Sequence, residues 1–249
     1  MGRLDGKVAI VTGAAGGIGR AFCHRLASEG VKVVATDVKD VSDVVKEIES
    51  QGAEGLALQT DVTDEQSTKD MARKTFERFG KIDILVNNAA FFSGLHGGPF
   101  TDIDMDEWDQ AYKVNVKGPF LCVRAVFPYM KEQGKGKVIN IASGVFLTGV
   151  VGTPHYVSSK AAVFGLTRAL AKELGQYGIN VNSIAPGNTD SGAVVHRKNM
   201  PWTPAVGGRA IDRKQVPEDL TGTLIYLASE DSDFVTGNLH RVDGGGALW

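Results

Sequence analysis

The chain has 249 residues, and its 27 Lys and Arg against 29 Asp and Glu leave a formal charge of −2; that balance excludes the basic excess of a nucleic-acid binder. Hydrophobic residues at 43% and charged residues at 22% exclude a disordered chain, and no apolar run reaches the roughly 18 residues that span a bilayer. The 31 glycines exceed ordinary usage and, beside a sizeable core, indicate many tight turns and close backbone approaches. The N-terminus runs into a strand-like segment with no signal-peptide pattern. Cys23 and Cys122 make neither a disulfide framework nor a zinc spacing and read as small buried hydrophobes. A cytoplasmic protein is expected.

In chain order, short apolar runs at Val8–Thr12, Val31–Thr36, Gly55–Thr60, Ile82–Asn87, Lys137–Ala142, Ile179–Ala185 and Leu239–Val242 predict strands. Most are β-branched and nearly continuous, as in strands covered on both faces. Amphipathic stretches near Gly17–Glu29, Val41–Gln51, Glu65–Phe79, Asp106–Gln133, Thr153–Tyr177 and Pro217–Ala228 predict helices between them. Pro119 and Pro128 are expected to bend the fourth of these or break its hydrogen bonding. Its Trp108, Tyr112, Phe120 and Phe127 read as core or subunit interface. This alternation predicts a doubly wound parallel α/β sheet in a single domain, residues 1–249. The segment 188–215, with Pro201, Trp202 and Pro204, fits neither period and is expected to be a long insertion that binds substrate.

The first predicted strand runs into Gly13-Ala14-Ala15-Gly16-Gly17-Ile18-Gly19 and then a helix. A strand, a glycine turn and a helix N-terminus can receive a phosphate on free backbone N–H groups. Gly13 permits the tight turn, Gly19 permits close helix–sheet packing, and a Cβ between them would obstruct a pyrophosphate. The alternative is a turn kept for packing alone. Asp37 ends the second strand about 20 residues on, where an acid accepts from ribose hydroxyls and repels a 2′-phosphate. That favours NAD over NADP, although Lys39 beside it would tolerate a phosphate; the alternative for Asp37 is a surface helix cap.

Further segments are specific in combination. Asp61-Val62 ends the third strand, Asn87-Asn88-Ala89-Ala90 the fourth, Ser143 follows the fifth, and Tyr156-Val157-Ser158-Ser159-Lys160 opens the next helix. With Asn115 and Pro186-Gly187, the chain from Lys7 to Gly246 resembles the short-chain dehydrogenase/reductase family of single-domain Rossmann-fold oxidoreductases. The resemblance implies that Tyr156 is the general acid/base with Lys160 as its partner. It implies that Ser143 hydrogen-bonds the substrate oxygen and that Asn115 holds a water in a proton relay. Gly13, Gly16, Gly17, Ile18, Gly19, Asp37, Asp61, Val62, Asn88, Ala89, Pro186, Gly187 and Thr189 would border the NAD cofactor, with Tyr156 and Lys160 touching it as well. Ala90 departs from the family's usual glycine and narrows that space by one methyl. Relatives commonly form tetramers, so a homotetramer is implied, with Trp249 near an interface.

Elementary chemistry points the same way. Tyr156 and Lys160 are four apart and share a helix face. An ammonium near a phenol stabilises phenolate, which can take a proton from an alcohol as hydride leaves or return it in reduction. Ser143 supplies a neutral donor where alkoxide charge develops. The alternative for the Tyr–Lys pair is a solvated helix face, and for Asn115 an exposed polar residue. A hydrolase with Ser143 as nucleophile and His155 as base lacks the Gly-x-Ser-x-Gly elbow. The five histidines show no metal spacing, so no metal is expected. Substrate contacts are expected from Phe92, Val145, Phe146, His155 and Asn188, a partly apolar set that suits an aromatic or cyclic alcohol. The loop Phe91–Gly98 either lines that pocket or covers it. The expected function is an NAD-dependent interconversion of an alcohol and its carbonyl. The alternatives are an NADP-dependent carbonyl or 3-oxoacyl reductase, and a non-catalytic module that senses NAD or docks a partner.

Overall fold

A computed structural model describes residues 3–192 and 209–247. Seven strands form one parallel sheet in the order β3-β2-β1-β4-β5-β6-β7. They are β1 (Val8–Thr12), β2 (Lys32–Asp37), β3 (Gly55–Gln59), β4 (Ile84–Asn87), β5 (Gly136–Ile141), β6 (Ile179–Pro186) and β7 (Leu239–Val242). Each begins and ends within two residues of its predicted limits. Every residue of β1, β4 and β5 is buried, which is why these strands read as continuous apolar runs. The edge strand β3 is only partly covered.

Helices α1 (Gly17–Ser28), α2 (Ser42–Ser50) and α8 (Thr221–Ala228) cover one face through Phe22, Leu26, Val44, Ile48 and Leu224. Helices α3 (Glu65–Phe79), α5 (Gly118–Gln133) and α7 (Pro154–Leu174) cover the other through Met71, Cys122, Val126, Leu170 and Leu174. Helix α3 matches its predicted span because its ends are marked: Asp64 accepts from the Ser67 N–H at 2.6 Å, and Gly80 closes it in the left-handed region at φ 74°. Both cysteines are buried, and burial pushes each thiol up to about 12, so neither is reactive at neutral pH.

The single helix expected over Asp106–Gln133 is three pieces. Helix α4 (Met105–Tyr112) passes into a π-helical segment, Lys113–Lys117, and then into α5. Pro119 has no N–H to give the Asn115 carbonyl four residues back, and the widened turn lies at that gap. Pro128, by contrast, lies inside α5 without interrupting it. Trp108 and Phe127 are half-buried, Phe120 is exposed, and Trp108 stacks on Tyr112. A four-residue helix not foreseen in the sequence, α6 (Val145–Thr148), follows β5. Of the predicted insertion, Thr189 and Gln215 pair as an isolated bridge; 193–208 and Trp249 lie outside the described residues.

The sheet order reverses between β1 and β4, which opens a crevice beyond their C-terminal ends.

Candidate functional site

That crevice is a cleft of about 1210 Å³, lined by loops after β1, β2, β3, β4, β5 and β6. Gly13, Gly16, Gly17 and Ile18 form its floor. Gly13 turns at φ 67°, and a Cβ there would lie 2.7 Å from the Ala89 Cα. Gly19 sits behind the lining, where a Cβ would collide with the Gly13 carbonyl oxygen and lie 2.7 Å from Asn88 Nδ2. Both are fixed by backbone packing. Gly16 is not: its backbone is extended, and a Cβ would meet nothing within 4 Å. Its side of the turn opens into the cleft.

Helix α1 starts there with no side-chain cap and no acid in its first turn. Its first N–H groups therefore have no helical acceptor and carry the positive end of the helix dipole. A bare helix N-terminus facing open space fits a diphosphate.

Asn88 lines the cleft, and its amide also holds this floor. Asn88 Nδ2 donates to the Thr12 and Gly13 carbonyls, both at 3.0 Å, while Thr12 Oγ1 accepts from the Asn88 and Ala89 N–H groups at 3.1 Å. Thr12 was not singled out in the sequence, although it closes the strand that feeds the turn. Asp37 lines the cleft; its Oδ2 accepts from the Ala15 N–H and its Oδ1 from the Lys39 N–H, each at 3.1 Å. The carboxylate is thereby aimed along the glycine turn. Asp61 and Val62 line the same end, with Asp61 Oδ1 accepting from Thr63 N–H and Oγ1 at 2.8 Å.

At the other end, Ser143, Tyr156 and Lys160 line the cleft together, beside Ala89, Phe92, Val145, Pro186, Gly187, Asn188 and Thr189. Ser143 leaves the end of β5, where its Oγ accepts from the Val145 N–H at 3.3 Å. Tyr156 and Lys160 project from the first turns of α7, and Lys160 Nζ lies 5.9 Å from the centroid of the Tyr156 ring. The ammonium donates to the Ile141 carbonyl at 2.8 Å. This pair is not a solvated helix face, since both side chains are buried.

Burial pushes the Lys160 ammonium down to about 8, which leaves it mostly charged at neutral pH. Because the folded pKa lies below the ordinary 10.5, the unfolded chain binds more protons between about pH 8 and 10.5, and stability rises with pH across that window. Lys160→Met removes that slope. As pH rises from 8 to 10.5, the unfolding free energy of the wild type is expected to gain about 3 kcal/mol on that of the variant. Urea melts across the window would read this; a constant difference would contradict a charged, buried Lys160.

Three expected contacts stand apart from the cleft. Asn115 is buried in the π-helical segment, not exposed. Its amide is spent: Nδ2 donates to Ser159 Oγ at 3.0 Å, and Oδ1 accepts from the Phe91 N–H at 2.7 Å. A relay through Asn115 would use its backbone carbonyl, which Pro119 deprives of the usual helical donor. Phe146 turns away from the cleft and stacks on Phe164, with centroids 6.1 Å apart. His155 is also outside it, fully buried with Nε2 2.8 Å from Glu107 Oε1. The hydrolase reading thus loses its base, because the His155 ring faces α4 rather than the cleft that holds Ser143.

The cleft also contains residues not anticipated from the sequence. Gln110, Lys113 and Val114 share one helical face in the turns before Asn115, a spacing that could have revealed them. Arg209 lines the cleft and donates to the Asn188 carbonyl at 2.5 Å; it follows an irregular stretch and carries no local signal. Among the described residues no cluster of His, Cys, Asp and Glu could hold a metal ion, and no helix is long and apolar enough to cross a membrane.

Residues 7–201 match the family described as short chain dehydrogenase. The chain is 37% identical over 254 residues to the hydroxy(phenyl)methyl-succinyl-CoA dehydrogenase subunit BbsD of Thauera aromatica, covering 99% of this chain and 98% of that one. It is 36% identical to a 3-oxoacyl-acyl-carrier-protein reductase of Thermotoga maritima, covering 98% of each. It is also 36% identical to galactitol 2-dehydrogenase of Agrobacterium fabrum, covering 98% of each. The crystal structure of levodione reductase superposes with a TM-score of 0.91 at 31% identity, over 99% of this chain and all of that one.

Proposed function

The chain belongs to the short-chain dehydrogenase/reductase family of nicotinamide-dependent oxidoreductases, and from that premise we propose that it interconverts a secondary alcohol and its ketone with NAD. The observation that carries this reading is the shared cleft: Ser143, Tyr156 and Lys160 line one end, and the glycine turn and Asp37 the other. The residues fit a dinucleotide. The bare N-terminus of α1 and the open space beside Gly16 would hold the diphosphate, Asp37 a ribose, and Asp61 and Val62 the adenine. The Ala89 and Pro186–Thr189 segments would border the nicotinamide.

When bound, the cofactor supplies or accepts hydride. The chain's own residues do the rest. Tyr156 gives its phenolic proton to the carbonyl oxygen in reduction and takes the hydroxyl proton in oxidation. The Lys160 ammonium beside the ring favours the phenolate. Ser143 donates to the same substrate oxygen as charge develops on it. Phe92 and Val145 give that end of the cleft an apolar wall, which supports an aromatic or cyclic substrate body.

The acid at Asp37 supports NAD over NADP; the NADP alternative draws on Lys39, which lines the cleft two residues away. A panel of alcohols and carbonyls, followed by the absorbance of reduced nicotinamide, tests the activity. Binding of NAD with no turnover across the panel would favour the sensing module. With an active substrate in hand, Asp37→Ala is expected to lower the NAD-to-NADP ratio of kcat/KM by about tenfold, the worth of one charge-assisted hydrogen bond. An unchanged ratio would contradict the ribose role. An apolar groove lined by Tyr112, Val116, Phe120 and Leu166 supports association of copies into the homotetramer implied by the resemblance.

A further inference from the structure

The loop 91–98 after β4 is tied to helix α7 at both ends through buried polar side chains. At its start, the Phe91 N–H donates to Asn115 Oδ1, and Asn115 Nδ2 donates to Ser159 Oγ. At its far end, beside the Gly98 N–H bond to the Gly152 carbonyl, the side-chain tie is Glu107 of α4. Glu107 Oε1 accepts from the His96 N–H at 2.8 Å and lies 2.8 Å from His155 Nε2, while Oε2 lies 2.8 Å from His96 Nδ1. His155 and Ser159 are one turn apart on α7, and Tyr156 stands between them. Between the two ties, the loop carries Phe92, whose ring centroid lies 5.0 Å from that of Tyr156.

Glu107 is suited to this task. Its side chain is 9% exposed and the His155 side chain 0%, whereas that of His96 is 70% exposed. Among the described residues His155 Nδ1 has no partner, so Nε2 carries the proton and Glu107 accepts it, an assignment made from the hydrogen-bond pattern. One carboxylate thus gathers a loop backbone, a loop side chain and a catalytic-helix side chain. A buried carboxylate with charge-assisted bonds holds its partners in a fixed geometry.

We propose that Glu107 is a positioning residue: through His96 and His155 it fixes the 91–98 loop against the start of α7, and so holds Phe92 packed on the Tyr156 ring as the wall beside which the substrate carbonyl binds. This rests on the reading of Tyr156 as the acid/base. Nothing in the pair of histidines touches the reacting atoms; the effect is on the wall that faces them.

The test combines amide hydrogen exchange with kinetics on acetophenone as the probe ketone. In the wild type the amides of Leu95, His96 and Gly98 are hydrogen-bonded, to the Phe92 carbonyl, Glu107 and the Gly152 carbonyl. Glu107→Ala is expected to speed their exchange about tenfold and to raise KM for acetophenone by a similar factor, as expected for one lost charge-assisted bond. It should hold kcat within about threefold and dinucleotide Kd within about twofold. Glu107→Gln keeps an acceptor for both histidines and should restore exchange to within about threefold of wild type. Unchanged exchange and KM in Glu107→Ala would overturn the proposal, as would a lowered Tm with KM unmoved. Should Glu107→Ala fail to fold, His96→Ala decides, because that side chain is largely exposed: loop exchange must rise, and unaltered exchange overturns the proposal. Should acetophenone not turn over, the exchange arm alone decides positioning. A fully active Tyr156→Phe would remove the acid/base reading without touching the exchange result.

Discussion

Tyr156→Phe lowers turnover by about a thousandfold, within the range that general acid/base groups contribute, and leaves dinucleotide affinity within about twofold. The substitution removes one oxygen and keeps the ring, so the packing of residue 156 against Phe92, at 5.0 Å between centroids, persists. The Lys160 ammonium keeps its bond to the Ile141 carbonyl. The fold and the cofactor floor, which lies beyond β1, are untouched. What disappears is the group that carries the proton. The check is kcat on a substrate found by the panel, together with a fluorescence titration of reduced dinucleotide. A non-catalytic NAD sensor would show no difference between variant and wild type, and an enzyme that retained full rates would need another acid.

The second large effect separates two glycines three residues apart. Gly19→Ala places a Cβ against the Gly13 carbonyl oxygen and 2.7 Å from Asn88 Nδ2, both parts of the floor. The neighbour that must move is backbone, so the turn shifts. Overpacking of this kind costs about 1–3 kcal/mol, which lowers Tm by several degrees in a chain of this size. Dinucleotide affinity is expected to fall by at least about tenfold, since the displaced N–H groups no longer converge. Gly16→Ala meets nothing within 4 Å and should leave Tm unaltered, yet its methyl enters the space proposed for the diphosphate and weakens dinucleotide binding. Equal Tm losses in both variants, or wild-type affinity in Gly16→Ala, would contradict the assignment of that space.

The strands were legible because each central one is covered on both faces; their order, and with it the switch point between β1 and β4, came from the structure. That the glycine turn, Asp37 and the Tyr156–Lys160 pair face one cleft was legible because strand ends and helical spacing fix where such residues point. Adjacency misled at His155: neighbours on a helix diverge by about 100°, so a tyrosine facing the cleft sends the preceding side chain toward α4. The same rotation in α6 sends Val145 into the cleft and Phe146 onto Phe164. Pro119 announced a disturbance, but whether the helix breaks or widens depends on packing against α7, through contacts such as the Asn115–Ser159 hydrogen bond. Glu107 was illegible for a related reason. Its partners lie 11 and 48 residues away, and no local pattern joins them.

The most direct measurement is a crystal structure with NAD and an unreactive fluorinated alcohol as substrate analogue. One analogue oxygen is expected within hydrogen-bond distance of both the Tyr156 and Ser143 hydroxyls, with the diphosphate on the N-terminus of α1. An analogue oxygen that touches neither hydroxyl, or a dinucleotide bound away from the glycine turn, would contradict this arrangement.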